Sequence, residues 1–511
     1  MKKKINHILP ALVLTASLGL TTVSCNGFLD EMPDNRTELN TDQKIAKLLV
    51  SAYADVSPNE LFELYSDNSD DSGPTYGYYK LSEQECYHWQ DTKEEYQDTP
   101  NSLWGGYYSA IAAANMALNA IEEKGNPASL DPQRGEALVC RAYCHFMLAN
   151  IFCNAYDTHA SQSLGVPYME EVETTVSPRY ERGTLEEVYR KVERDLLEGI
   201  DLISDDSYSV PKYHFTRKAA YAFAARFYLY YMKPDFSNCD RVIDFATRVL
   251  GTNPADLLRN WEALGNLSVN GNVQADAYIA SSNEANLLIS STVSNWGAIG
   301  SDYLIGPRYF HNQTLATSET CLSSGLWGSS DYFYLKPFST NGFVASILRK
   351  SGLYEGTYLY YMPVLFSTDE TLLCRAEAYA LKKMYAQSAA DITSWQRAYT
   401  RNKSVLTPEQ INTYYDRMSF YTPFTQQTPK KKLAPDFMIE EGMQENFIHC
   451  ILHIRRITTL HEGMRWPDIK RYGILIYRRD MANQRVTDEM PPNDLRYAIQ
   501  IPRSVIVAGI Q

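Results

Sequence analysis

The sequence predicts a mainly α fold, built from irregular tetratricopeptide-like helical-hairpin repeats with long loop-rich insertions and little β-structure. Apolar residues recur every three or four positions over several long stretches, which is the period of an amphipathic helix. These stretches come in pairs joined by short turn segments. Three helices share a string of small and aromatic residues, as stacked hairpins require: CRAYCHF from 140, AARFYLY from 224 and CRAEAYA from 374.

The N-terminus has the features of a secretory signal. Lys2 to Lys4 precede an apolar run, residues 8–20, that is too short to cross a bilayer core of about 30 Å as a helix. A small residue precedes Cys25, and polar residues follow it. This resembles a bacterial lipoprotein signal, so we expect residues 1–24 to be removed and Cys25 to be lipidated. An ordinary signal peptide with an incidental cysteine is the alternative.

The helical scaffold is predicted over about 40–260 and 366–400. Its first hairpin turns at Gly125-Asn126-Pro127, and Thr184 with Glu187 forms a capping box at the start of the second. The predicted helices are 102–123, 132–153, 184–204, 215–232, 239–250, 369–385 and 386–400.

Two excursions interrupt the array, because the shared strings are spaced far more widely than the 34 residues of a regular repeat. The first excursion covers about 58–100. The second, about 262–365, is rich in Gly, Ser, Asn and Tyr and contains an apolar run at 286 that predicts a short strand. Long loops of this kind are usually functional.

Composition narrows the class of ligand. The chain has 511 residues and a formal net charge of −13, which disfavours nucleic acid as a partner. It holds 38 tyrosines, whose flat apolar face and hydrogen-bonding tip suit stacking on sugars. No segment after the signal is a candidate membrane span. The nine cysteines allow disulfides, but several lie in apolar helical patterns, which favours buried, reduced thiols.

The C-terminal segment, 401–511, carries a recognisable motif. Residues 455–473, RRITTLHEGMRWPDIKRYG, resemble a hallmark of the SusD/RagB family of outer-membrane nutrient-binding lipoproteins of Bacteroidetes. Arg455 and Thr459 depart from that pattern, since glutamate is usual at both positions. Three other stretches also resemble the family: CNGFLDEMPD from 25, WGGYYSAIAAAN from 104 and YAIQIPRSVI from 497.

The resemblance implies one domain over 25–511, with four tetratricopeptide-like units. It also implies docking on a SusC-like TonB-dependent transporter, a glycan-binding loop surface, and a surface-exposed, lipid-anchored place at the outer membrane. It implies neither catalysis nor a cofactor. A helical-repeat adaptor that binds a peptide or protein remains the alternative, because tetratricopeptide grooves often do so.

Loop aromatics are the candidate ligand-binding residues, because a few aromatic anchors typically dominate an interface. We expect Trp104 and Trp466, which lie in helical motifs, to belong to the scaffold. The candidates in the two excursions are Tyr78, Tyr79, Trp89, Trp296, Tyr303 and Trp327.

Three polar patterns have competing interpretations. Glu445, His449 and His453 share a helical face that could bind a metal, but a packed polar face is favoured. The acidic loop 66–71 partly resembles a calcium loop, and a solvated acidic loop is the default. The basic run between 455 and 479 could bind an anion, but interspersed acids favour internal salt bridges.

Overall fold

The scaffold consists of helices that pack side by side in chain order. The structure is a computed structural model that describes residues 39–510, except 76–78, 175–179, 269–272, 297–307, 324, 328–352 and 356–357. Contacts divide the chain into two compact units, Met1–Asn40 and Thr41–Gln511, and the described helices and strands belong to the second. The predicted signal peptide and Cys25 lie outside the described residues.

The helices of the first half are α1 (Asp42–Leu48), α2 (Asn59–Tyr65), α3 (Leu81–Tyr87), α4 (Pro100–Glu123), α5 (Asp131–Phe152), α6 (Leu185–Leu202), α7 (Arg217–Tyr230) and α8 (Asn238–Leu250). Those of the second half are α9 (Trp261–Gly265), α10 (Val273–Ile279), α11 (Gln313–Ser318), α12 (Thr368–Leu381), α13 (Tyr385–Tyr399), α14 (Pro408–Arg417), α15 (Met443–Thr458), α16 (Arg465–Tyr472) and α17 (Arg503–Ala508).

The predicted hairpins are confirmed. Each helix from α4 to α7 packs on the helix that follows it, and α12 packs on α8, α13 and α15. The capping box at Thr184 is present, and Gly125 and Asn126 adopt the positive φ angles that end the first hairpin's leading helix. The scaffold therefore skips the second excursion and resumes at α12.

The strands are short. They are β1 (Asp70–Asp71), β2 (Asn286–Ile289), β3 (Thr292–Val293), β4 (Tyr309–Phe310), β5 (Leu353–Glu355), β6 (Tyr358–Tyr361), β7 (Val364–Ser367), β8 (Ile476–Asp480) and β9 (Arg485–Met490). They form a four-stranded sheet in the order β4-β1-β8-β9, a pair β2-β7 and a three-stranded sheet β3-β6-β5.

The second excursion has more regular structure than its composition predicts. Its described residues form three short helices and six of the strands, where sequence reasoning expected one or two strands. The run at 286 is a buried strand, as predicted, and it pairs antiparallel with β7. Composition does not reveal the strand pairing: β2–β7, β3–β6 and β5–β6 pair within the excursion, and β4 pairs with β1 of the first excursion.

Burial confirms two further predictions. Among the described residues, eight free cysteines are present, and all but Cys321 are buried. Trp104 and Trp466 are buried inside their helices' packing, as their motifs predict: Trp104 meets Phe152 of α5, and Trp466 meets Tyr65 of α2. No helix in the described part of the chain has both the length and the apolar character needed to cross a bilayer.

Candidate functional site

The two excursions meet at one edge of the four-stranded sheet. Strand β1 of the first pairs antiparallel with β4 of the second, which places Asp71 opposite Tyr309. A second contact joins them, because the Asn295 amide N–H donates to Asp98 at 2.8 Å and the Gln97 side chain donates to that of Asn295 at 3.0 Å. Segments about 200 positions or more apart in the chain therefore form one surface.

The acidic loop that precedes this edge is buried and ion-paired, which corrects the expectation of a solvated loop. Asp67 accepts two hydrogen bonds from Arg465, at 2.7 and 2.9 Å, and one from Lys431 at 2.6 Å. Burial alone would raise the pKa of Asp67, but Arg456, Arg465 and Lys431 hold it well below its usual range. Asp70 pairs with Arg479. The C-terminal basic segment therefore anchors the first excursion.

The rest of the basic run also serves structure. Arg455, which stands where the family motif has glutamate, bridges Glu377 and Asp468, and Arg471 pairs with the same two carboxylates. This confirms the prediction of internal salt bridges. Lys470 is an exception, because its ammonium donates to the backbone carbonyls of residues 150 and 153 at 2.9 and 2.6 Å.

Arg478 is the second exception. It is fully buried, and its guanidinium donates to the carbonyls of Leu64, Tyr65, Ser66 and Tyr87. Burial lowers the pKa of Arg478 to about 10, so it remains charged near neutral pH. Arg478 thus binds four backbone carbonyl groups and fixes the first excursion.

An aromatic ledge lies on the solvent side of β1 and β4; we define it as Tyr79, Arg308, Asp71 and His88. Tyr79 is 39% exposed and meets Tyr309 edge-to-face at 5.4 Å between ring centroids. The Arg308 guanidinium lies over the Tyr79 ring, 5.3 Å from its centroid. A partly exposed ring and a planar cation are thus paired next to β1 and β4.

Arg308 is held by a bidentate ion pair. Its two nitrogens donate to the two carboxylate oxygens of Asp71, at 2.7 and 2.8 Å. These hydrogen bonds raise the pKa of Arg308 above its ordinary value. Burial lowers the pKa of His88, so its half-buried ring is neutral near pH 7 and can accept as well as donate. The ledge therefore offers donors and acceptors beside a stacking face.

The three candidate tryptophans are buried, which corrects the expectation that they face solvent. Trp296 is 1% exposed, and its indole N–H donates to the His461 carbonyl at 2.9 Å. Trp327 is 0% exposed and packs against Trp395. The physical reason is that packing against neighbouring residues removes the large apolar surface of each ring from water.

Trp89 is 6% exposed and donates to the Tyr65 carbonyl at 2.9 Å. The guanidinium carbons of Arg478 and Arg496 lie 4.0 and 5.1 Å from the centroid of its ring. Of the other candidates, Tyr79 is on the ledge, whereas Tyr78 and Tyr303 lie outside the described residues.

The histidine face of α15 is packed. His453 contacts the Tyr415 hydroxyl and the Cys321 carbonyl, both at 2.9 Å, so both ring nitrogens are engaged. Nε2 of His449 lies 3.7 Å from Oε1 of Glu445. Within the part of the chain that the structure describes, no group of three or more His, Cys, Asp or Glu is placed to hold a metal ion.

Sequence reasoning misses three members of the ledge. It places Asp71 in the acidic loop, and it does not single out Arg308 or His88. Their signal is weak, because an arginine next to a tyrosine in a loop is common. Only the β1–β4 pairing brings Arg308 to Asp71, 237 positions away.

Comparisons with known proteins match this architecture. Residues 27–229 match the family model SusD-like_3, described as "Starch-binding associating with outer membrane". No curated protein matches the sequence.

Solved structures match over nearly the whole chain. A SusD superfamily protein from Bacteroides fragilis has a TM-score of 0.61 at 14% identity, covering 92% of this chain and 98% of its own. A putative sugar binding protein from Bacteroides vulgatus has 0.60 at 20%, covering 93% and 98%. A SusD-like carbohydrate binding protein from the same species has 0.63 at 15%, covering 91% and 96%. At these identities the likeness establishes the fold.

Proposed function

We propose that this protein binds carbohydrate at the bacterial outer membrane. Residues 27–229 match the SusD-like family model, and 92% of the chain matches the fold of a SusD superfamily protein, which supports the proposal. The description of the family and the names of two structural relatives support this ligand class. We further propose that the ligand is an oligosaccharide and that it lies on the aromatic ledge.

One observation carries the placement of the ligand: Tyr79 is exposed beside the Asp71–Arg308 ion pair. A sugar ring presents an apolar face and a rim of hydroxyl groups. An exposed aromatic ring stacks on the face, while a planar guanidinium and a carboxylate bond the hydroxyl groups in fixed directions. Because Asp71 and Arg308 hold each other, little conformational entropy is lost on binding.

Binding without catalysis is the proposed activity. The ledge as defined holds one carboxylate, Asp71, and both of its oxygens accept hydrogen bonds from Arg308, whereas glycoside hydrolysis typically uses two carboxyl groups that flank the scissile bond.

The remaining steps are proposals that follow from the family. We propose that acylation of Cys25 anchors the protein at the cell surface and that it delivers oligosaccharide to a SusC-like TonB-dependent transporter. Capture on an exposed surface followed by transfer suits a binding protein without chemistry of its own.

Calorimetric titration with starch-derived oligosaccharides and other polysaccharides, alongside a peptide library, tests the proposal. We expect saturable glycan binding that Tyr79→Ala weakens by about 1–3 kcal/mol through loss of stacking. Phe420→Ala is the matched control, since Phe420 is 37% exposed on the C-terminal segment. Saturable peptide binding without glycan binding would favour the adaptor, and equal affinities of the two variants would remove Tyr79 from the site.

A further inference from the structure

A second concave site lies away from the ledge, between the first scaffold helices and the second excursion. We call it the Tyr213 cleft. It has a volume of about 460 Å³ and shares no lining residue with the ledge. The polar and aromatic residues that line it and carry the argument are Asp55, Ser109, Tyr213, His214, Ser290 and Ser291.

Gly106 shapes one wall of the cleft. A Cβ atom at this position would lie 2.5 Å from Cγ1 of Val56, so only glycine lets the segment after α1 approach α4 this closely. That segment carries Asp55 to the mouth of the cleft, where its side chain is exposed. The cleft is therefore built by close backbone packing of its wall.

A hydrogen-bonded set fixes the polar floor. The buried carboxylate of Glu136 lies 2.7 Å from Nδ1 of His214 and accepts from the Tyr53 hydroxyl at 2.7 Å. The ring of His214 also stacks on Tyr208, at 4.5 Å between centroids. The Phe215 amide N–H donates to the Tyr53 hydroxyl at 2.7 Å. The imidazole is thus held in one orientation from two sides.

This arrangement assigns one ring nitrogen of His214. A carboxylate only accepts, so Nδ1 carries a proton toward Glu136, and Nε2 is the ring nitrogen left for another partner. Nε2 makes no hydrogen bond to another of the described residues, and His214 lines the cleft. The cleft is thus lined by an oriented imidazole whose second nitrogen can bond a ligand hydroxyl group, which is able both to donate and to accept.

The rim supplies the complementary features. Tyr213 is 37% exposed and offers an aromatic face at the mouth, and four lining serine residues and Asp55 contribute hydroxyl groups and a carboxylate. Small-molecule sites of about 300–1,000 Å³ typically combine an aromatic face with a few convergent polar groups. The volume of this cleft suits one or two sugar rings, whereas the ledge is open and suits a longer chain.

We propose that the Tyr213 cleft is a second carbohydrate site, which takes a mono- or disaccharide unit with one ring on Tyr213 and a hydroxyl group on Nε2 of His214. The ligand class rests on the proposed function, but the site does not depend on the ledge. Two sites on one molecule raise the effective concentration of a chain that reaches both.

Saturation-transfer NMR tests the second site with glucose, galactose, mannose, xylose and maltose as probes. Ser109→Phe fills the cleft from an exposed position of α4, and Asn119→Phe places the same ring at another exposed position of that helix. Each variant is made in the wild type and in the Tyr79→Ala background, and thermal unfolding verifies that it folds.

In the Tyr79→Ala background we expect saturable binding of at least one probe, weakened at least tenfold by Ser109→Phe and by Tyr213→Ala and unchanged by Asn119→Phe. Loss of all binding in Tyr79→Ala alone would overturn the second site and leave the ledge. Sensitivity to Ser109→Phe without sensitivity to Tyr79→Ala would retain the cleft and overturn the ledge. Wild-type protein that binds none of the probes would overturn the second site.

Discussion

At the scale of single residues, the burial of an aromatic ring, which depends on neighbours from distant segments, separates a core ring from one that can contact a ligand. Tyr79 and Trp296 both come from loop-rich sequence, which predicts both as ligand contacts. The Trp296 ring is buried and its indole N–H donates to the His461 carbonyl, whereas Tyr79 stays partly exposed next to the arginine that pairs with Asp71. Sequence supplies the aromatic residues, but it cannot supply the partners, because these come from distant segments.

Buried histidines make the stability of the protein depend on pH. Burial lowers the pKa values of His145, His311 and His453 from 6.5 to about 3. Below pH 6.5 the unfolded chain therefore binds protons that the folded chain does not. Each of these groups contributes stability that is complete above pH 6.5 and is lost as the pH falls toward 3, by about 1.4 kcal/mol per pH unit.

His311→Gln isolates one of these groups, because the amide can replace the contact of Nε2 with the Thr320 hydroxyl at 2.8 Å. We expect the free energy of unfolding of this variant to fall less steeply between pH 6 and 4 than that of the wild type. The two slopes should differ by about 1.4 kcal/mol per pH unit, the contribution of one bound proton. Urea unfolding across that range measures it. His159→Gln, at an exposed position, should keep the wild-type slope. Equal slopes for His311→Gln and wild type would contradict the assignment.

At the scale of elements, periodicity predicts the helices well and the strands poorly. Helix α4 begins two residues before its predicted start and ends where predicted. The strands escape prediction because β1 and β4 have two residues each and exist only through pairing across the chain. The local signal of a helix spans many turns, whereas such a strand has almost none.

The second excursion is expected to depend on Trp296 for folding. This ring packs with Phe310 and Tyr361 in a small buried cluster. Trp296→Ala should lower the free energy of unfolding by about 3–5 kcal/mol, since it removes a large buried side chain and leaves a cavity. Chemical denaturation measures this. Val486→Ala, at a position 42% exposed, should change it little, and a similarly small change in Trp296→Ala would contradict the burial.

At the scale of the whole molecule, opposite charges hold an acidic loop of the first excursion against the basic C-terminal segment. The acidic loop 66–71 and the basic segment 455–479 are nearly 400 positions apart, yet Asp67 contacts Arg456, Arg465 and Lys431 in the interior. The sequence reveals both charge runs, and only the fold reveals that they neutralise each other. The ledge depends on these contacts, because Asp71 is the last residue of the anchored loop.

Removing the negative charge of Asp67 should lower the stability of the protein. Asp67→Asn leaves three buried cations short of a partner, and we expect the free energy of unfolding to fall by about 3–5 kcal/mol. Asp244→Asn is the control, because the Asp244–Arg248 pair is half-exposed and should contribute less than about 1 kcal/mol. Denaturant unfolding measures the free energy of unfolding of both variants. Equal, small losses of stability would contradict a stabilising role of the buried ion pairs of Asp67.

The central claim is that two distant excursions converge on an exposed ledge that binds oligosaccharide. A crystal structure of the protein with the oligosaccharide that binds best in titration tests it most directly. We expect a sugar ring stacked on Tyr79, with its hydroxyl groups in hydrogen-bond contact with Arg308 or Asp71. Clear density for the sugar elsewhere, with Tyr79 and Arg308 facing only solvent, would contradict the claim.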